Sequence, residues 1–349
     1  MSIPTQHIAV IRMSAMGDVA MTVPVIRAFV EQNPNVKITV VSRPFFKPFF
    51  DGILNLDFFA VDVKQRHKGF LGLLKLYSDL KQLNIDAVAD LHNVLRSQII
   101  RTLFALSGKK VAFTDKGRAN KKALTRTENK IFKPIKTMVE RHVETFKKLG
   151  FNVDVSNPTF PKKANISTEI LKVSGEKRKD KWIGIAPFAQ YESKVYSQDL
   201  MQKVIDELAS DVNTKLFLFG GGNKVIEILN LFANENKNVT NVAGELKLPQ
   251  EVDLISNLDI MLSMDSGNAH IAAMLGIEVI TLWGSTHPFA GFAPFNQPFE
   301  NCLVSDREKY PLIPTSVYGN KKVAGYEAVM RTISPATVVE KIRAKIASL

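Results

Sequence analysis

The sequence predicts an α/β fold built from two Rossmann-like domains, each with a parallel β-sheet. Short apolar, β-rich runs alternate with segments of helical periodicity along the whole chain. That alternation is typical of βα units whose sheet is covered on both faces. The length of 349 residues also favours two medium domains over a single core.

Ten strands are predicted, five in each half of the chain. Those of the first half are HIAVIRM, KITVVS, FFAVDV, IDAVADL and KKVAF, and those of the second are WIGIAPF, KLFLFG, VTNVAG, DIMLSMD and EVITLWG. Near the end, Ser334 followed by Pro335 is typical of a helix start. Helical periodicity from Ala336 to Leu349 then predicts a C-terminal helix that closes the chain.

The domain boundary is expected within residues 151–181, which are rich in Asn, Pro, Ser and Lys and hold no long periodic segment. Such composition is typical of interdomain connections. We therefore divide the chain into an N-terminal domain at 1–165, a C-terminal domain at 166–335 and the terminal helix at 336–349.

Composition narrows the class of protein and its location. The single cysteine, Cys302, excludes an internal disulfide framework, and 6 histidines provide no Cys/His cluster with the spacing of metal ligands. The N-terminal sequence has no basic region before an apolar core, and no apolar stretch reaches the roughly 18 residues of a membrane span. We expect a cytoplasmic protein without a metal or a resident cofactor.

Positive charge is concentrated in the first half. The net charge is +12, with 28 basic and 14 acidic residues in 1–174 but 18 and 20 in 175–349. Lys109–Lys148 alone holds 13 basic and 4 acidic residues, which predicts a partner with phosphates or anionic headgroups unless the lysines are simply solvated. Nucleic acid is not expected, because the aromatic residues of this half lie mostly in apolar runs such as RPFFKPFF.

The stretch SAMGDVAMTVP follows the first predicted strand and places a carboxylate at the turn into a helix. Gly17 allows a sharp turn there, so Asp18 is held at the mouth of the first sheet. Asp18 can be the N-cap of the following segment, or it can act as a general base toward an attacking hydroxyl. The local sequence alone favours the cap.

In the second half, MLSMDSGNAHIAAMLG places small polar residues between a strand and a helix. The loop consists of Asp265, Ser266, Gly267 and Asn268. Backbone N–H groups at a helix N-terminus bind anions, so this loop predicts a phosphate or diphosphate site, to which His270 can add a donor. The alternative is that Asp265 and Ser266 only cap the helix.

Two further residues follow predicted strands of the second half. Lys194 comes after WIGIAPF, at the carboxyl edge where open α/β sheets bind ligands, and can neutralise a departing phosphate. Glu227 comes after the glycine-rich turn Gly220–Gly222 and can reach ribose hydroxyls. The alternative for Lys194 is an exposed loop lysine. The alternative for Glu227 is a solvated helix carboxylate, which is favoured when that residue is considered by itself.

Five segments, taken in order, resemble glycosyltransferase family 9, the lipopolysaccharide heptosyltransferases and their relatives. They are IAVIRMSAMGDVAMTVPVIRAF, VVSRPFFKPFF, DLHNVLRSQIIR, APFAQYESKVYSQD and MDSGNAHIAAMLGIEVITLWGSTHP. The resemblance spans nearly the whole chain. It implies the GT-B arrangement of two Rossmann-like domains facing across a cleft, with the acceptor on the N-terminal domain and the sugar nucleotide on the C-terminal one. It further implies metal-independent transfer with inversion, from a nucleoside-diphosphate sugar such as ADP-heptose.

The resemblance also implies roles for individual residues. Asp18 matches the catalytic base and Lys194 the phosphate-binding lysine. The donor-phosphate loop is matched by Asp265, Ser266, Gly267, Asn268 and His270. That loop commonly reads Asp-Thr-Gly-Leu-x-His in the family, so Asn268 here replaces an apolar residue, and Tyr196-Ser197 stand where tryptophan and proline are common.

A basic acceptor-binding half suits an anionic glycolipid such as lipopolysaccharide core. The protein would contact this acceptor as a peripheral protein at the cytosolic face of the inner membrane. Candidate acceptor contacts are Arg12, Arg43, Arg96, Arg101 and Arg141. A nucleotide-dependent oxidoreductase is disfavoured, since neither half has a Gly-x-Gly-x-x-Gly turn with a following acidic residue. A non-catalytic protein that binds sugar nucleotides or glycans on the same fold is the remaining alternative, against which Asp18 and Lys194 argue.

Overall fold

A computed structural model describes residues 6–234 and 236–348, and the chain divides into two compact units. The first unit comprises the residues up to Arg118 together with Lys136–Phe160, and the second comprises Ala119–Ile135 and the residues from Pro161 onward. Each unit has one parallel sheet with helices connecting its strands. The predicted class, α/β with two Rossmann-like domains, is confirmed.

The first unit is built on a five-stranded parallel sheet. Its strands are β1 (Gln6–Ile11), β2 (Val36–Ser42), β3 (Leu56–Ala60), β4 (Ala87–Asp90) and β5 (Lys110–Phe113). They pair in the order β3-β2-β1-β4-β5. Its helices are α1 (Met16–Ala20), α2 (Val23–Gln32), α3 (Gly69–Lys81) and α4 (Leu95–Leu106). Helix α5 (Arg118–Thr125) begins at the last residue of this part of the unit and otherwise belongs to the second unit, after which α6 (Met138–Leu149) belongs to the first again.

The second unit has six parallel strands in the doubly wound order. They are β6 (Lys181–Ala186), β7 (Thr214–Leu218), β8 (Val239–Asn241), β9 (Ile260–Met264), β10 (Glu278–Trp283) and β11 (Cys302–Val304). They pair in the order β11-β10-β9-β6-β7-β8. Its helices are α7 (Thr168–Ser174), α8 (Gln198–Ala209), α9 (Asn223–Ala233), α10 (Leu248–Ser256), α11 (Gly267–Met274) and α12 (Pro335–Ala347).

The central strands are buried on both faces, which explains why they read as continuous apolar runs. The last four residues of β1 and all five of β9 are buried. The final helix, α12, buries Val338, Val339 and Ile342 in the core of the second unit. Ser334 caps it as predicted, because its hydroxyl accepts a hydrogen bond of 3.0 Å from the Thr337 N–H.

Three features differ from the sequence-based expectations. Strand β1 ends at Ile11, two residues before the predicted run does. Strand β11 was not predicted, because an apolar run of three residues is shorter than the pattern that indicates a strand. The predicted terminal helix extends to Leu349, which lies outside the described residues, and α12 ends at Ala347.

Residues 119–135, which the sequence analysis placed in the N-terminal domain, pack with the second unit. Lys130 Nζ donates to the carbonyl oxygens of Leu312 and Pro314, and burial lowers its pKa to about 8. The Phe132 ring lies 4.9 Å, centroid to centroid, from the rings of both His287 and Phe289. These contacts join residues more than 150 positions apart, so local pattern gives no sign of them.

Across residues 6–234 and 236–348, every helix is too short or too polar to cross a bilayer.

Candidate functional site

In each unit the strand order reverses at one point, and predicted site residues follow the strands beside it. The reversal lies between β1 and β4 in the first unit and between β6 and β9 in the second. Connections leave opposite faces of the sheet there, so a crevice opens at the carboxyl ends, where doubly wound folds bind ligands. Asp18 follows β1, Lys194 follows β6 and Asp265 follows β9.

Asp18 is held in place by a buried arginine. Its Oδ2 lies 2.6 Å from Nη2 of Arg12 and accepts a hydrogen bond of 3.3 Å from the Ala15 N–H. The Asp18 side chain nevertheless keeps 30% of its surface exposed. Asp18 is therefore not the N-cap, which is Ala15; it lies within α1 and accepts from the N-cap N–H, while its carboxylate stays accessible to a substrate.

Arg12, considered above as an acceptor contact, is engaged inside the first unit. Its side chain is almost fully buried, and Nη1 donates to the Leu91 carbonyl at 2.7 Å. Leu91 comes directly after β4. Arg12 therefore ties the end of β1 to the chain that leaves β4, and Asp18 is positioned by both central strands.

His92 lies beside this pair and was not singled out from the sequence. Its Nε2 is 3.2 Å from Ser14 Oγ, and the ring is buried. Burial, followed by the charges of Arg12 and Lys116, lowers the pKa of His92 to about 3. The imidazole is therefore neutral at physiological pH. The half-buried Lys116, whose pKa is lowered by burial and by Arg12, also acts on His92 and Asp18, and Arg96 acts on His92 as well.

Of the other four arginines proposed as acceptor contacts, three have internal partners. Arg43 Nε donates to the Met13 carbonyl at 2.9 Å. Arg101 Nη1 donates to Asp90 Oδ2 and Asn93 Oδ1, both at 2.9 Å. The buried Arg141 donates to the Lys136 and Asp115 carbonyls and lies against Gly117. Arg96 instead is exposed at the start of α4.

In the second unit, Lys194 and Asp265 form a largely buried ion pair. Lys194 Nζ lies 2.9 Å from Asp265 Oδ2, and the same oxygen accepts a hydrogen bond of 2.9 Å from Thr286 Oγ1. Lys194 is thus not the exposed loop lysine that was the alternative. An ammonium group has three N–H donors, so Lys194 can hold Asp265 and still donate to a ligand.

The stem of Lys194 is fixed by a second contact, which the sequence analysis missed. A Cβ on Gly319 would lie 2.5 Å from Lys194 Cδ, so only a glycine allows the two segments to approach this closely. Ser193 Oγ donates to the Gly319 carbonyl at 2.7 Å, which anchors the same approach. With φ of +82° at Gly319, the backbone also adopts a conformation that suits glycine.

The start of α11 leaves its backbone donors available to a ligand. The Ser266 hydroxyl lies 3.0 Å from Ser263 Oγ, and within residues 6–234 and 236–348 it accepts no capping hydrogen bond. The Asp265 carboxylate is engaged with Lys194 and Thr286. The capping alternative is therefore not supported, and the N–H groups from Gly267 onward are the donors that a phosphate would use.

Two other predicted donor-site residues have contrasting environments. His270 is buried in α11, one turn beyond Ser266. Glu227 is exposed on α9, after the turn at Gly220–Gly222. Among the described residues, no three His, Cys, Asp or Glu side chains are grouped as metal ligands.

Comparisons with known proteins agree on one family. Residues 73–317, well over half of the chain, match the model of glycosyltransferase family 9 (heptosyltransferase). The lipopolysaccharide core heptosyltransferase OpsX of Haemophilus influenzae is 25% identical over 296 residues, which cover 83% of this chain and 82% of that protein.

Two solved structures share the fold over their whole length. The glycosyl transferase family 9 protein of Veillonella parvula DSM 2008 superposes with a TM-score of 0.76 at 18% identity, covering 100% of this chain and 99% of that one. The E. coli heptosyltransferase WaaC with ADP gives 0.67 at 18% identity, covering 97% and 100%. At this identity the likeness is one of fold.

Proposed function

Because the chain belongs to glycosyltransferase family 9, and is therefore a glycosyltransferase, we propose that it transfers a heptose from ADP-heptose to lipopolysaccharide core. Two comparisons support this choice of substrates. OpsX is a lipopolysaccharide core heptosyltransferase, and the similar E. coli structure is that of a heptosyltransferase with ADP.

The observation that carries the proposal is the arrangement at the start of α11. The Lys194 ammonium is held by Asp265, two residues before α11 begins, and the hydroxyl of the N-cap Ser266 is turned to Ser263. A diphosphate at this point meets a fixed cation and free backbone donors at the positive end of the helix dipole. The second unit is thus proposed to bind the donor through its phosphates.

These same groups would stabilise the departing nucleoside diphosphate. As the bond between the anomeric carbon and the phosphate oxygen breaks, negative charge develops on that oxygen, and preorganised donors lower the barrier most at that moment. In this proposal the Lys194 ammonium and the α11 N–H groups stabilise the negative charge of the diphosphate, as a divalent metal ion does in other transferases. We accordingly propose metal-independent transfer with no cofactor other than the sugar nucleotide.

Asp18 is proposed as the general base. The acceptor hydroxyl gives its proton to the Asp18 carboxylate as its oxygen attacks the anomeric carbon from the face opposite the diphosphate, so the configuration inverts. Arg12 and the Ala15 N–H fix the orientation of the carboxylate. Because the carboxylate is already held in one orientation, no conformational entropy is lost in ordering it when the acceptor hydroxyl binds.

The acceptor is proposed to be anionic and bound by the first unit. The exposed Arg96 and the half-buried Lys116 are the cations of that unit best placed to contact it. Arg43, Arg101 and Arg141, with their internal partners, are proposed to shape the acceptor site. The reaction is proposed to take place at the cytosolic face of the inner membrane, where a glycolipid acceptor and a sugar nucleotide meet.

The test begins with thermal stabilisation by ADP, UDP, GDP and CMP. A nucleotide at 100 times its dissociation constant adds about 2.7 kcal/mol, and we expect a selective response to ADP and ADP-heptose. Lys194→Ala should weaken ADP binding at least about tenfold, whereas Lys203→Ala, which removes an exposed lysine of α8, should not.

The second arm measures transfer. Incubation with ADP-heptose and a heptose-free core glycolipid should add the mass of one heptose to the acceptor and release ADP. A selective response to UDP or GDP would overturn the proposed donor while keeping the enzyme class. Binding of ADP-heptose without any transfer would instead support the non-catalytic alternative.

A further inference from the structure

A cluster of exposed apolar side chains lies at the start of α3, outside the site described above. Phe70 and Leu71 are 64% and 78% exposed, and Leu74 is 37% exposed. Residues three and four apart are neighbours on a helix surface, so Leu74 adjoins the other two and the three form one patch. Large apolar side chains grouped on a surface mark a site of interaction, whereas scattered ones do not.

The patch is surrounded by positive charge. Lys64 and Lys68 in the preceding loop and Lys75 on the helix are all exposed. The nearby carboxylates are engaged by loop residues: Asp79, on α3, pairs with Arg66 at 2.7 Å and His67 at 3.1 Å, and Asp62 accepts from the backbone N–H groups of Lys64 and Gln65. The exposed face therefore combines apolar side chains with lysines that form no ion pair within residues 6–234 and 236–348.

The loop before α3 is rigidly attached to the helix. His67 is buried, with Nδ1 accepting from the Asp62 N–H at 3.0 Å and Nε2 beside Asp79. A Cβ on Gly72 would lie 2.3 Å from the carbonyl carbon of His67, so the loop lies directly against the helix. Lysines and apolar side chains are thus presented on one preformed surface.

The patch lies at the same edge of the sheet as Asp18. The loop leaves β3 at its carboxyl end, as α1 does from β1. Two strand spacings separate β3 from β1 in the order β3-β2-β1, or about 10 Å. The patch and the proposed base therefore lie at the same edge of the first unit.

We propose that Phe70, Leu71 and Leu74, with Lys64, Lys68 and Lys75, form the surface by which the protein docks on an anionic lipid bilayer. Apolar side chains enter the boundary between headgroups and acyl chains, while lysines meet the anionic headgroups. The charge around the patch selects a negatively charged bilayer over a neutral one or an apolar protein groove. The proposal rests on the proposed function, because the bilayer would hold the glycolipid acceptor with its sugars near Asp18.

The test is flotation of the full-length protein with vesicles, for which the chain offers a matched control. The test variant is Phe70→Ser/Leu71→Ser. The control is Leu54→Ser/Leu106→Ser, which removes leucines that are 78% and 80% exposed. Leu54 precedes β3 and Leu106 ends α4, so both lie at the opposite, amino edge of the sheet.

We expect the parent protein to bind vesicles of equal parts phosphatidylcholine and phosphatidylglycerol, and to bind phosphatidylcholine alone weakly. The test variant should bind the anionic vesicles at least about tenfold more weakly, and the control should match the parent. Leu74→Ser, a milder change, should weaken binding in the same direction. Unaltered melting temperatures would establish that all variants fold.

If the test variant and the control bound anionic vesicles equally well, the proposal would be overturned. It would also be overturned if the parent protein did not bind anionic vesicles. A parent dimer that the test variant converts to a monomer would also overturn it, since the patch would then serve a second copy. Vesicle binding needs neither donor nor acceptor. A protein that binds vesicles but transfers no heptose would therefore refute the proposed function alone, and transfer to a deacylated acceptor without vesicle binding would refute the docking surface alone.

Discussion

The Arg12 guanidinium contacts Asp18 Oδ2 at 2.6 Å through Nη2 and the Leu91 carbonyl at 2.7 Å through Nη1. One buried side chain thus joins the proposed base to the segment that follows β4. The orientation of Asp18 therefore depends on the central strands as well as on the start of the short helix α1 in which it lies.

Replacing Arg12 should impair turnover more than donor binding. In Arg12→Met the apolar stem stays but both polar contacts are lost, and we expect kcat to fall about tenfold or more. The free energy of unfolding should fall by about 2 kcal/mol, because a charged hydrogen-bonded pair is broken. Steady-state kinetics and urea unfolding measure the two effects. Arg12→Lys should recover part of the kcat, and a Met variant with parental kcat would disprove the positioning role.

Gly319→Ala should weaken the binding of ADP by displacing Lys194. The added Cβ would collide with Lys194 Cδ, and moving a cation from a phosphate should cost about tenfold in affinity. Gly325→Ala is the control, since its φ of +79° is nearly the same but a Cβ there meets nothing within 4 Å. Calorimetric titration with ADP compares them. An equal loss in both variants would show that backbone strain, rather than the collision, is responsible.

His92 should make the first unit less stable in acid. The unfolded chain binds a proton on His92 below pH 6.5, whereas the folded chain holds this pKa at about 3. Stability therefore falls as the pH drops from about 6.5 toward 3, by up to about 1.4 kcal/mol per pH unit. His92→Gln removes this effect. Between pH 4.5 and 6.5, the free energy of unfolding of this variant should therefore depend less steeply on pH than that of the parent does. Urea titrations of both proteins, followed by the same spectroscopic probe, measure the difference. Parallel pH profiles would contradict the buried, neutral imidazole.

Much of the geometry of the proposed donor site could be predicted from sequence. Each predicted position depends on strands that read as apolar runs and on the rule that ligands bind at their carboxyl ends. Lys194 and Asp265 follow β6 and β9, which pair with each other, so two residues far apart in the chain were expected at one edge. Their direct ion pair was not predicted, because a strand pattern gives position but not the direction of a side chain.

The features that escaped prediction all depend on distant neighbours. Gly319 matters because Lys194 passes it, and Lys130 belongs to the second unit because it reaches two carbonyls near residue 313. The contact of Arg101 Nη1 with the buried carboxylate of Asp90, at 2.9 Å, was not predicted either. An arginine near a predicted site has the same sequence signature whether it binds substrate or supports a loop.

The most direct test of the account is the turnover of Asp18→Asn with ADP-heptose and the core glycolipid. The amide keeps the shape of the side chain but cannot take the proton of the acceptor. We predict that kcat falls about 100-fold or more, while the affinity for ADP, which the second unit is proposed to bind, stays at the parental value. A kcat within a few-fold of the parent would contradict the assignment of Asp18 as the general base.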